Sequence, residues 1–109
     1  MLPDVKTEQA QKELEIDGRA AERLAELFQA LSDPSRVRII AALLREEMNV
    51  SELAGSVGMS GSAVSHQLRL LRQIHLVRTT RRGREIYYTL DDDHVVEIFT
   101  RGLDHVKHG

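Results

Sequence analysis

A mainly α-helical domain with one β-hairpin is the fold class that this sequence predicts, and three observations carry the prediction. Apolar residues recur at helical spacing from Gly18 to about Ile74. Between Leu76 and Leu90 they give way to two short runs rich in β-branched and aromatic residues. Helical spacing then returns from Asp91 to His108. At 109 residues, with no internal repeat, low-complexity tract or Pro/Gly linker, the chain makes one domain. Residues 1–17 read as a polar, weakly helical extension, and 18–109 as the folded domain.

The first strong helix starts at Gly18 and carries Ala21, Leu24, Ala25, Leu27, Phe28 and Leu31 on its apolar stripe. Ser32-Asp33-Pro34 ends it and starts the next, with Asp33 suited to the N-cap and Pro34 to the first helical position. Val37, Ile39, Ile40, Leu43 and Leu44 make that second helix apolar nearly all round, so it should be buried. A short helix follows from about Ser51 to Val57, with Leu53 and Ala54 inward, and Gly58 breaks it. Ser60 caps a further helix running to about Ile74, with Val64, Leu68, Leu71 and Ile74 on one stripe. The strands are Leu76–Arg81 and Glu85–Leu90, with Arg82-Gly83-Arg84 between them as a basic tip. Asp91 then caps the last helix, whose apolar residues are Val95, Val96, Ile98, Phe99, Leu103 and Val106.

Helix, short Gly-containing turn, helix, then a basic hairpin is the order of a winged helix-turn-helix. The second helix of such a unit fits the DNA major groove. Its start is short and polar (Ser60, Ser62, Ser65), which permits close approach. His66 and Gln67 offer hydrogen bonds to base edges, and Arg69 and Arg72 suit phosphate or guanine. Arg81, Arg82 and Arg84 on the hairpin would reach the backbone or a minor groove. Taken singly, each is an ordinary cap or solubilising charge; their concentration on one unit is the signal.

Charge distribution supports that reading. The net charge is −2. Residues 60–90 nevertheless hold six Arg and one Glu, whereas residues 1–35 hold four basic and eight acidic side chains. Residues 91–109 hold two basic and five acidic side chains. A polyanion suits the centre, and a dication the tail. Absence of cysteine excludes disulfides, thiolate metal sites and thiol redox chemistry. No apolar run approaches the ~20 residues of a membrane span, and Met1-Leu2-Pro3-Asp4 carries an acidic residue and does not read as a secretion signal. A cytoplasmic location is therefore expected.

The tail holds a spacing with chemical meaning: Asp92-x-His94, ten residues, then His105-x2-His108. Carboxylate oxygen and neutral imidazole nitrogen are zinc ligands. At ~100° and ~1.5 Å per residue, His94 and His105 share a helix face but stand ~16 Å apart. With Zn–N bonds of ~2 Å, one ion cannot touch both. His105 and His108 can chelate together, as can Asp92 and His94 if Asp92 sits at the unwound helix start. One helix thus carries two half-sites. Antiparallel pairing with a second copy completes two four-ligand sites per dimer, related by a two-fold axis. Gly102 lies where that axis should cross. A polar, His-containing surface helix is the plainer alternative.

Over residues 18–108 the chain resembles the ArsR/SmtB family of metal-responsive repressors. The matching stretches are Leu31–Ile39, Val50–Ala54, Ser62–Leu71, Arg82-Gly-Arg84 with Ile86-Tyr-Tyr88, and the ligand run itself. The resemblance implies a homodimer that binds double-stranded operator DNA through the winged helix-turn-helix and has its first core helix and last helix at the interface. It also implies that Zn(II), with Co(II) as a surrogate, occupies two sites per dimer made of Asp92, His94, His105 and His108 and relieves repression. The choice among Asp91, Asp92 and Asp93 rests on the family spacing. A route through the ligand His105, whose free N–H would donate to the main-chain carbonyl of His75 at the end of the reading helix, is suggested by the same resemblance. The cysteines of arsenic, cadmium and lead sensors have no counterpart here, where the equivalent stretch is Glu47-Met-Asn-Val50.

An enzyme is not expected. Four protein ligands leave zinc no open position for a catalytic water. Adjacent Ser65 and His66 would point ~100° apart on a helix, with no orienting carboxylate. The remaining alternative is a winged-helix module that binds DNA or protein constitutively, with a structural or vestigial metal site.

Overall fold

The computed structural model describes residues 6–109; Met1 to Val5 lie outside the described residues. The elements are α1 (Glu8–Glu13), α2 (Gly18–Ala30), α3 (Pro34–Arg45), α4 (Val50–Val57), α5 (Gly61–Gln73), β1 (Val77–Arg82), β2 (Glu85–Leu90) and α6 (Asp93–His108). Each helix starts at a side chain able to accept from the third helical N–H. Thr7, Asp17, Asp33, Asn49, Ser60 and Asp92 all do so. Caps of this kind stabilise a helix by about 1 kcal/mol each.

Helix α3 is the hub. Ile39 and Ile40 are fully buried, with Ala42 and Leu43 beside them. They pack in one cluster with Leu53 of α4, Val64, Leu68 and Leu71 of α5, Val77 and Leu90 of the hairpin, and Phe99 of α6. The core is almost wholly aliphatic, and among the described residues no polar or charged residue is buried in it. Between α4 and α5 the chain turns at Gly58, whose φ of 69° is the left-handed conformation that closes a helix.

Strands β1 and β2 pair antiparallel from Val77↔Leu90 to Arg82↔Glu85. The loop is only Gly83-Arg84, with Gly83 at φ 63°, as a type II′ turn requires. Strand β1 therefore begins at Val77, one residue later than the hydrophobic pattern suggests, and Arg82 belongs to the strand. Leu76 is spent elsewhere: its N–H donates to the Leu71 carbonyl and closes α5. Beside β2, Met48 exchanges two backbone hydrogen bonds with Tyr88, of 3.1 and 2.8 Å. This one-residue third strand has no signature in the sequence.

Two other details differ from expectation. Helix α4 begins at Val50, because Asn49 and Glu52 form a reciprocal capping box. Asp92, not Asp91, caps α6; Asp92 is extended, and its carboxylate accepts from Val95, three residues on. Helix α2, the first core helix, leaves its apolar stripe uncovered within the protomer. Leu24 and Phe28 remain 42% and 58% exposed, and only Ala30 of that helix is fully buried.

Candidate metal centre and nucleic-acid interface

At the mouth of α6, Asp92 uses its two oxygens separately. Oδ1 accepts from the Val95 N–H at 3.1 Å, and Oδ2 stands 3.7 Å from His94 Nδ1. The Val95 hydrogen bond, with His94 adding to it, holds the Asp92 carboxyl below its ordinary pKa. Two ligands of a tetrahedral ion with ~2 Å bonds lie about 3.3 Å apart, so this pair is near chelating separation. Asp91, by contrast, points its N–H at the Leu76 carbonyl and takes no part in the cap.

His105 and His108 occupy the last turn of α6, both exposed. His108 Nε2 lies 3.8 Å from Asp104 Oδ1. Asp104 was not among the expected residues; its i,i+4 spacing to His108 was the available signal. If His108 bound metal through Nδ1, Asp104 would be the carboxylate orienting its other nitrogen. Among the described residues, no three His, Asp or Glu side chains come together where one ion could be held.

Between the two ends runs an apolar groove of about 240 Å³, lined by Leu31, Val37, Ile98, Phe99, Gly102, Leu103 and Val106. Val106 is 75% exposed. A Cβ built on Gly102 would meet nothing within 4 Å in the protomer. Contiguous apolar exposure of this kind marks an interaction face.

On α5 the predicted reading residues divide. Ser62, His66, Arg69 and Arg72 are exposed, and Ser65 is half-buried. The Ser60 hydroxyl accepts from the Ala63 N–H as the cap and lies 3.3 Å from the Ser62 hydroxyl. Gln67 is half-buried, with its amide oxygen enclosed and unpartnered. At the far end of α5, His75 adopts φ 61°. Its N–H donates to the Arg72 carbonyl, and Leu76 donates to Leu71. These are the two bonds of a Schellman closure, with histidine where glycine is usual.

The hairpin arginines also divide. Arg81 Nε donates to the Gly83 carbonyl at 3.0 Å, folding over the tip. Arg82 is paired with Glu47 and lies 5.2 Å from the centre of the Tyr87 ring. Arg84 is exposed at the turn. Arg78 is exposed on β1 as well and was missed, because its place on the outer face follows from the strand register and not from the basic tip.

With this geometry in hand, the chain can be compared with known proteins. Residues 33–79 match the family described as bacterial regulatory protein, arsR family. The chain is 48% identical over 87 residues to the transcriptional repressor SmtB homolog of Synechocystis sp., covering 80% of this chain and 66% of that protein. It is 43% identical over 93 residues to the HTH-type transcriptional regulator NmtR of Mycobacterium tuberculosis, covering 85% of this chain and 78% of the other. Its fold superposes on a homodimeric winged helix-turn-helix DNA-binding domain from Mycobacterium bovis with a TM-score of 0.77, at 26% identity over 85% of this chain and 88% of that one. The chain belongs to the ArsR/SmtB family of winged helix-turn-helix transcriptional regulators.

Proposed function

We propose that this protein is a homodimeric repressor that leaves its DNA operator when zinc, or cobalt in its place, binds between the two protomers. Each of two sites would take Asp92 and His94 from one chain and His105 and His108 from the other. The observation that carries the reading is the division of α6: a near-chelating pair at its start, two histidines at its end, and an apolar groove between them. Two α6 helices laid antiparallel along that groove would cover Ile98, Leu103 and Val106 and complete both half-sites. The exposed Leu24 and Phe28 of α2 offer further apolar surface to the same interface. In this scheme residues 18–109 form the dimerising domain and residues 1–17 an extension. It would act on cytoplasmic DNA, and no helix among the described residues is long and apolar enough to cross a membrane.

DNA contact falls to the exposed face of α5 (Ser62, His66, Arg69 and Arg72), with Ser65 at its edge, and to the basic hairpin. Ser60 contributes through the start of the helix, and Gln67 through its half-buried amide. Most of these groups position the protein on phosphates, and His66 and Gln67 are the candidates for base readout.

Asp92, His94, His105 and His108 would hold zinc, which when bound would link the two protomers. His105, if it ligated through one ring nitrogen, would keep an N–H on the other. In this reading that N–H donates to the His75 carbonyl, at the left-handed closure of α5, and so ties the dimer seam to the reading helix. Affinities for DNA and zinc then oppose each other reciprocally. Gel shifts on operator DNA test the scheme: the metal-free dimer binds and zinc releases it. DNA binding indifferent to zinc would leave a constitutive DNA-binding module with a structural metal site.

A further inference from the structure

Three contacts tie the loop at residues 46–49, between α3 and α4, to the hairpin. Met48 and Tyr88 exchange backbone hydrogen bonds. The Asn49 amide nitrogen lies 3.5 Å from the Glu85 carboxylate. Glu47 pairs with Arg82. Strand alternation puts Arg82, Glu85 and Tyr87 on one face of the hairpin, so the Arg82 guanidinium lies over the Tyr87 ring on its way to Glu47. The side chain therefore runs back from the tip toward the body of the domain. Glu47 is the more enclosed partner, with its side chain 27% exposed against 59% for Arg82.

We propose that Glu47 sets how many phosphates the wing neutralises, by holding Arg82 against the body of the domain and out of the DNA-contacting set. Arg82 is then a positioning residue that fixes the hairpin to the start of α4, so that wing and helix-turn-helix move as one body. Contact by the wing falls to Arg84 and Arg78. This inference rests on the reading that the hairpin touches DNA. Its consequence is a weaker, less salt-dependent grip on DNA of any sequence. Phosphate contacts are blind to sequence, and each one strengthens binding everywhere. Withholding one arginine per wing weakens binding to operator and to arbitrary DNA alike, and leaves the choice between them to the base contacts of α5.

The test uses the full-length, metal-free protein and a DNA duplex of mixed sequence, with affinity measured across a range of salt. Each phosphate contact contributes a slope of about 0.9 in log affinity against log salt. Glu47→Gln, close in shape to the native residue, should steepen the slope by about 0.9 for each wing engaged. Arg82→Ala alone should leave the slope unchanged, and in the Glu47→Gln background it should remove the increment. Arg84→Ala should flatten the slope by about 0.9 per wing. Circular dichroism verifies the fold of each variant, with Arg82→Gln replacing Arg82→Ala should the latter unfold.

Arg82→Ala flattening the slope as much as Arg84→Ala would overturn the proposal. So would an increment in Glu47→Gln that survives the loss of Arg82, since the effect would then be plain repulsion between Glu47 and DNA. If neither Arg84→Ala nor Glu47→Gln moves the slope while the wild type still binds, the hairpin does not touch DNA and the underlying reading fails first.

Discussion

Asp92 and His94 face each other across 3.7 Å at the first turn of α6, while the other Asp92 oxygen caps that helix through Val95. One side chain thus serves folding with one atom and offers the other as a ligand, and the two roles can be separated. Asparagine caps as well as aspartate, but its amide is a poor substitute for a carboxylate on zinc. Asp92→Asn should therefore keep stability within about 0.5 kcal/mol and weaken zinc binding. Asp92→Ala should lose about 1 kcal/mol of stability as well. Denaturant unfolding and zinc titration on the two variants measure both effects.

His105 is both proposed ligand and proposed transmitter. His105→Ala should bind operator DNA as the wild type does and stay bound on adding zinc. Couplings of this kind are typically about 1–3 kcal/mol, so the wild-type affinity should fall by about 5–150-fold on zinc binding. Fluorescence anisotropy with and without the metal reads the difference.

His75 offers a complementary test, because its proposed role is main chain. Its φ of 61° costs a non-glycine residue about 1–2 kcal/mol, part of which glycine returns as lost chain entropy. His75→Gly should raise stability by about 0.5–1 kcal/mol and keep the zinc response. His75→Val should destabilise, since a branched side chain tolerates that backbone poorly. The midpoint of urea unfolding, together with a gel shift, checks both statements.

Gly102 sits in the apolar groove of α6, with open space where its Cβ would be. Glycine within a helix costs about 1 kcal/mol relative to alanine, which close approach of a second helix would offset. Gly102→Leu should leave the protomer folded and shift the dimer toward monomer in analytical ultracentrifugation. An unchanged dimer would make Gly102 a tolerated surface glycine.

Much of this was legible in the sequence because it depends on local chemistry. Asp33-Pro34, Gly58 and Ser60 are short-range signals that mark real element ends, and the switch of period at Leu76 falls one residue before β1. The ligand spacing could be read because helix geometry converts sequence distance into space. What escaped depends on partners distant along the chain. Nothing near Glu47 or Met48 announces a meeting with Arg82 or Tyr88, some forty residues later. Gln67 looks like a reading residue by spacing, but packing encloses its amide oxygen. The stripe of α2 was visible as apolar, yet periodicity alone cannot say whether Leu24 and Phe28 face their own core or another chain.

The decisive measurement mixes two variants. Neither the Asp92→Ala/His94→Ala chain nor the His105→Ala/His108→Ala chain should hold zinc tightly as a homodimer. A mixed dimer should regain one intact site, with Asp92 and His94 from the second chain and His105 and His108 from the first. One tightly bound zinc per purified mixed dimer is the expected result. A mixed dimer that binds no more metal than its parents would contradict a site shared between protomers.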